Sequence, residues 1–254
     1  MLLKQALDTK DDATARYGLF CEARDEALEA ADLGRYTKIV KKTAEHYQID
    51  ALAIRAGGLR QATKRPHPSS SVTLTLTRLL MQLAEEMTAD DRYDEADAMA
   101  KLAHELATRY KNYPRAKEAA ALRRDVEQVR QFHKAAEDAE KALAQHPDDP
   151  AANLLLGKYY CFGRQQWERG LPMLAKGNQE TLKALAVAEK TTPANATEMV
   201  ALGDRWWDAA GSGRVADMQR FVQARAAYWY RLALPDLLGL TMIRIQQRLD
   251  EIGR

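Results

Sequence analysis

Three observations predict an all-α chain built as a stack of antiparallel helical hairpins. Apolar residues recur with helical period along nearly the whole sequence. Breakers cut that period into segments a few turns long, joined by short connections. The composition is rich in Ala, Leu, Glu, Lys, Arg and Gln, which fill helices at little cost in entropy.

The period is clearest in two runs. Tyr36, Ile39, Val40, Thr43, Ala44 and Tyr47 fall at i, i+3, i+4, i+7, i+8 and i+11. Leu76, Leu79, Leu80, Leu83, Ala84 and Met87 repeat the template. Val72–Thr77 alternates as a strand would. It follows Ser69-Ser70-Ser71, a capping cluster, and runs into the second stripe, so the expectation is helix. The predicted helices are 12–31, 35–48, 51–64, 72–88, 92–111, 115–145, 151–161, 166–176, 179–190, 195–210, 216–233 and 236–252. Asp32-Leu33-Gly34 ends one helix and caps the next. Pro66-His67-Pro68 stops another. Pro147-Asp148-Asp149-Pro150 breaks and then caps, and separates an N-terminal part, 1–146, from a C-terminal part, 147–254. Gly211-Ser212-Gly213 is a joint, and Pro235 suits the first turn of the last helix.

The hairpins repeat a local pattern. Asp32-Leu33-Gly34-Arg35-Tyr36, Asp90-Asp91-Arg92-Tyr93-Asp94 and Gly163-Arg164-Gln165-Gln166-Trp167 each give a polar turn followed by an aromatic residue at the start of a second helix. These hairpins resemble tetratricopeptide-type repeats. The likeness also rests on Leu156-Gly157 with Tyr160, on Leu202-Gly203 with Trp206, and on Ala224, Ala227, Tyr228 and Ala233 before Pro235. It covers most of the chain with degenerate spacing. It implies a right-handed α-solenoid whose concave face holds a peptide or protein segment. The stretch from Asn153 to Glu189, with Leu202 to Ile252, is also similar to helical regions of uncharacterised bacterial multidomain proteins, a likeness that brings no activity.

Composition narrows the function classes. Net charge is +2 with the two signs interspersed, unlike the basic footprint of a nucleic-acid binder. The basic run Arg109, Lys111, Arg115, Lys117, Arg123, Arg124, Arg130 and Lys134 reads as the solvated face of a long helix whose buried stripe is Leu122, Val126, Val129, Ala136 and Leu143. Cys21 and Cys161 are too few for a disulfide framework. The five histidines lack ligand spacing, so neither metal nor cofactor is expected. Carboxylate pairs such as Glu85-Glu86 and Asp148-Asp149 sit where helix ends need them. No stretch approaches the roughly 20 apolar residues of a spanning helix. The opening MLLKQALDTKDD lacks the pattern of a signal peptide, so a cytoplasmic location is the default expectation.

The aromatic residues carry the functional expectation. Trp167, Trp206, Trp207 and Trp229 all lie in the C-terminal part, with Tyr159, Tyr160, Phe162, Tyr228 and Tyr230. Core packing is one reading; an aromatic groove for a peptide is the other. Neighbours such as Trp206-Trp207 stand about 100° apart on a helix, so they cannot share one buried face. The expected role is a non-enzymatic interaction or scaffolding module for a protein partner. Its candidate contacts are Trp206, Trp207, Trp229 and Tyr230, with Arg205, Arg225 and Arg231 beside them. After Lys190 the chain uses only arginine, which forks onto carboxylates and stacks on aromatic rings. The alternatives are a ligand-binding or enzymatic protein with a pocket near Trp206 and Trp229, and a structural spacer.

Overall fold

A computed structural model of the chain describes residues 1–65 and 70–252. Among the described residues it is all-helical, without strands, and carries thirteen α-helices. They are α1 (Leu2–Asp8), α2 (Ala13–Glu29), α3 (Leu33–Ala44), α4 (Ala51–Thr63), α5 (Ser70–Ala89), α6 (Tyr93–Arg109), α7 (Tyr113–Gln145), α8 (Pro150–Lys158), α9 (Trp167–Lys176), α10 (Glu180–Ala188), α11 (Ala196–Gly211), α12 (Gln219–Ala233) and α13 (Gly239–Ile252). Val72–Thr77 is helical, inside α5. The expected break at Pro66-His67-Pro68, with Ser69, lies outside the described residues. The short helix α1 is one that the apolar period does not announce. It packs on α2 through the buried Ala6. Pro235 does not open the last helix. It sits in a 3₁₀ turn, Leu234–Asp236, and α13 begins only at Gly239, whose φ of +62° suits glycine.

Contacts divide the chain into two compact units, Met1–Arg130 and Gln131–Arg254. The division falls inside α7, because the two ends of that helix serve different cores. Its first turns pack on α6, where the His104 ring nitrogen Nδ1 lies 2.9 Å from the carbonyl of Ala116 and Arg123 pairs with Asp97 at 2.7 Å. Its later turns bury Phe132, Ala136 and Ala139 in the second core.

In the first unit each helix packs on the next, from α1 to α6. The hairpin turns share one device. Ala31, Asp91 and Lys111 all adopt the left-handed region, at φ 56°, 59° and 57°. The residue after each donates its backbone N–H five positions back: Asp32 to Ala27 at 2.9 Å, Arg92 to Met87 at 2.9 Å and Asn112 to Ala107 at 2.8 Å. This motif satisfies the carbonyls that a helix end leaves open and reverses the chain in two residues. Asp32 then caps α3 through the backbone N–H of Arg35. The aromatic after the turn plugs the hairpin, as at Tyr36, whose hydroxyl donates to the carbonyl of Ile54 at 2.6 Å. Its ring occupies the space a side chain at Gly58 would need.

In the second unit α8 to α13 likewise pack each on the next in the chain. Asp149 caps α8 by accepting from Ala152 N–H at 2.7 Å, and Asn195 caps α11 from Glu198 N–H at 3.0 Å. Gly203 on α11 lets the ring of Tyr230 on α12 approach, and Gly157 on α8 does the same for Leu174 on α9. These are the two Leu-Gly positions in the repeat-like first helices. No helix among the described residues is long and apolar enough to cross a membrane.

Candidate functional site

The second unit holds a site that begins with an irregularity. After α8 the chain forms a π-helical turn, Tyr159–Gly163, before the hairpin reverses. The wider turn shifts the closing hydrogen bond by one position: Gln166 N–H donates to Tyr160 six residues back, at 2.7 Å, while Gln165 takes the left-handed conformation at φ 54°. Such turns inside helices recur at functional sites because they re-aim side chains. Here Cys161 and Phe162 line a cleft together with Trp167, the first residue of α9.

Helix α12 supplies the facing wall. Phe221, Ala224, Arg225 and Tyr228 follow helical spacing, and all four line the same cleft of about 420 Å³. Phe162 stands edge-on to Trp167 at 5.6 Å and lies 6.0 Å from Phe221. A second cleft, of about 610 Å³, shares Gln165, Trp167, Arg225 and Tyr228 and adds Glu189 and Trp229. Among the residues common to both clefts, Arg225 lies against two aromatic rings. The Arg225 guanidinium lies 4.0 Å from the Trp167 ring centroid and 4.4 Å from that of Tyr228. The Trp229 ring lies 5.3 Å away, and the guanidinium N–H groups, which lie in its plane, are left to make hydrogen bonds.

Those donors are under-used. Glu189, the residue that closes α10, divides its carboxylate: one oxygen accepts from Trp206 Nε1 at 2.8 Å, the other pairs with Arg225 Nη2. Arg225 thus donates one bond to the carboxylate, where a forked pair would have two. Its buried Nε has no hydrogen-bond partner, and neither does the buried Nε1 of Trp229, which lines the second cleft. The Nε atoms of Arg16 and Arg55 in the first unit have no hydrogen-bond partner either; what sets Arg225 and Trp229 apart is that both line a cleft.

The expected contact residues separate into two groups. Arg225, Trp229 and Arg231 line the clefts. Trp206 lies beneath them, fully buried, edge-on to Trp167 at 5.7 Å, and acts by positioning Glu189. Tyr230 is also fully buried, its hydroxyl donating to Asp204 at 2.7 Å. Trp207 is half-buried under the Arg248 guanidinium, 5.1 Å away, and Arg205 is exposed on α11; neither lines a cleft. Trp167, which sequence position suggests should pack near Leu156 and Tyr160, is half-buried against Phe162, Trp206 and Arg225 instead.

Sequence reading overlooks Gln165, Phe221 and Glu189. The spacing of Phe221, Arg225 and Tyr228 was a usable signal. Glu189 carries none, since its partner stands 36 positions away.

Burial, reinforced by the nearby Glu189 charge, pushes the Cys161 thiol far above its ordinary range, so it stays protonated. Among the described residues no three His, Cys, Asp or Glu side chains come together as a metal site. In the first unit the basic run is paired in part: Arg115 with Glu118, Arg123 with Asp97, and Arg130 with Asp94. Comparison with protein-family models, with curated proteins and with solved structures finds no match for this chain.

Proposed function

We propose that the chain is a non-enzymatic interaction module of tetratricopeptide-like helical hairpins, and that its second unit holds a protein segment in the two clefts meeting at Arg225. The observation that carries this reading is the Trp167–Arg225–Tyr228 cluster, an arginine set against two aromatic rings and lining both clefts. The recurring left-handed turns, with an aromatic after each, support a repeat architecture. Rigid hairpins would present these side chains preorganised, so little entropy is lost when a partner docks. Aromatic and arginine anchors are the residue types that dominate binding hot spots.

The test uses Tyr228, which is 44% exposed. A photo-crosslinking amino acid placed there should capture a discrete partner from native extract. The same probe at Lys141, on the exposed face of α7, should not. Equal capture at both positions would refute the cleft as the binding surface.

A further inference from the structure

The chemistry of the first cleft specifies what part of a partner it takes, an inference that rests on the binding role proposed above. We propose that the 420 Å³ cleft receives a carboxylate carried on an apolar or aromatic body. In a protein segment this is an acidic side chain beside an aromatic one; a free aromatic carboxylate offers the same chemistry.

Charge is the first argument. The cleft is lined by two arginines, Arg225 and Arg231, and by no carboxylate. Arg231 is exposed and makes no ion pair among the described residues. Glu189 lines the other cleft, and half of its hydrogen-bonding capacity goes to Trp206. Donor supply is the second argument. A guanidinium has five N–H donors. Arg225 is more than nine-tenths buried and makes one hydrogen-bonded ion pair, while its Nε has no partner. The Trp167 and Tyr228 rings crowd the guanidinium carbon at 4.0 and 4.4 Å, and guanidinium N–H groups lie in its plane, so an acceptor binds at the edge, the approach that suits a carboxylate. The walls are the third argument. Phe162, Phe221, Trp167 and Tyr228 line the cleft beside the two arginines, and the volume falls within the range of pockets that enclose a small organic group. A strongly hydrated inorganic anion would leave those walls unused.

The experiment uses two matched pairs of probes on the full chain. One pair is N-acetylphenylalanine and its neutral amide. The other is a blocked dipeptide of phenylalanine and glutamate and its glutamine counterpart. Binding is followed by calorimetry and by the indole N–H resonance of Trp167. Each carboxylate should bind at least about tenfold more tightly than its neutral twin, the scale of a hydrogen bond to a charged group. That preference should weaken as salt is added. Whichever acid binds more tightly identifies the source, free carboxylate or acidic side chain. Arg225→Gln could damage the fold, so the deciding variant is Arg231→Glu, on an exposed position: its melting temperature should be unchanged and its affinity for both acids about tenfold lower. Equal binding of acid and neutral twin would overturn the carboxylate inference while leaving a binding cleft in place. Silence from all four probes, or full affinity in Arg231→Glu, would overturn the inference as well. The module reading then stands or falls on the crosslinking at Tyr228.

Discussion

Glu189 and Arg225 form an ion pair in the interior of the second unit, across 36 positions of sequence, and both side chains are more than nine-tenths buried. A pair so placed makes a modest net contribution, because desolvating two charges offsets much of their attraction. Removing one partner is a different matter, since it strands a charge. Glu189→Ala should cost about 3–5 kcal/mol, read as a shift in urea midpoint followed by tryptophan fluorescence. It also removes the acceptor of Trp206. Glu189→Gln keeps that acceptor and should cost less. If the alanine and glutamine variants melt alike, the acceptor for Trp206 contributes nothing; if the glutamine variant melts like the parent, the carboxylate charge is not what holds Arg225.

The two adjacent tryptophans should differ sharply. Trp206 is fully buried and hydrogen-bonded; Trp207 is half-buried and faces Arg248. Trp206→Ala should cost about 3–5 kcal/mol, whereas Trp207→Ala should cost roughly 1–2 kcal/mol, within the ordinary range of point changes. Paired thermal melts decide this, and equal losses would place Trp207 in the core.

Most of the helices were legible because local rules and tertiary packing agree on them. The stripe from Leu76 to Met87 is buried at every position the period names. Asp32 and Asp149 cap where turn chemistry puts them. The site was only half legible. Arginine and tryptophan enrichment pointed to the unit that holds the clefts, and Arg225, Trp229 and Arg231 line them. The π turn at Tyr159–Gly163 was invisible, because one shifted hydrogen bond leaves the apolar period almost unaltered. That turn is what sets Cys161 and Phe162 along the cleft. Glu189 was invisible for another reason: a carboxylate at a helix end looks the same whether it faces water or a buried guanidinium.

In the first unit, acid should act on Glu86. Burial alone would raise its carboxyl, but hydrogen bonds from Arg55 and Lys41 outweigh that and hold it below the usual carboxylate range. A depressed folded-state value means that stability is present above the unfolded value, about 4.3, and is lost as pH falls through the folded one. Glu86→Gln should therefore melt earlier than the parent at neutral pH, and the gap should close as both are acidified. Glu86 remains more than a third exposed, so water screens the effect and the gap should be small. A gap that widens in acid would reverse the sign and refute the assignment.

Gly57 and Gly58 are neighbours in α4 with opposite expectations. Around Gly57 an added methyl group would meet nothing within 4 Å. Alanine there removes the conformational freedom of glycine from the unfolded chain, so Gly57→Ala should stabilise by about 0.5–1 kcal/mol. At Gly58 the same methyl would lie 2.2 Å from the Tyr36 hydroxyl oxygen and 2.3 Å from the ring carbon bearing it. Tyr36 cannot swing aside easily, because it is buried and its hydroxyl is bound to the carbonyl of Ile54. Gly58→Ala should then destabilise by roughly 1–3 kcal/mol, the usual cost of overpacking. The clash includes ring carbon, so Tyr36→Phe should not relieve it. Tyr36→Leu, which shortens the side chain, should make the Gly58→Ala penalty smaller than it is in the parent. A double-mutant cycle on thermal melts measures that coupling. Additive effects in the Tyr36→Leu, Gly58→Ala pair would mean that the glycine serves something other than the aromatic plug of its hairpin.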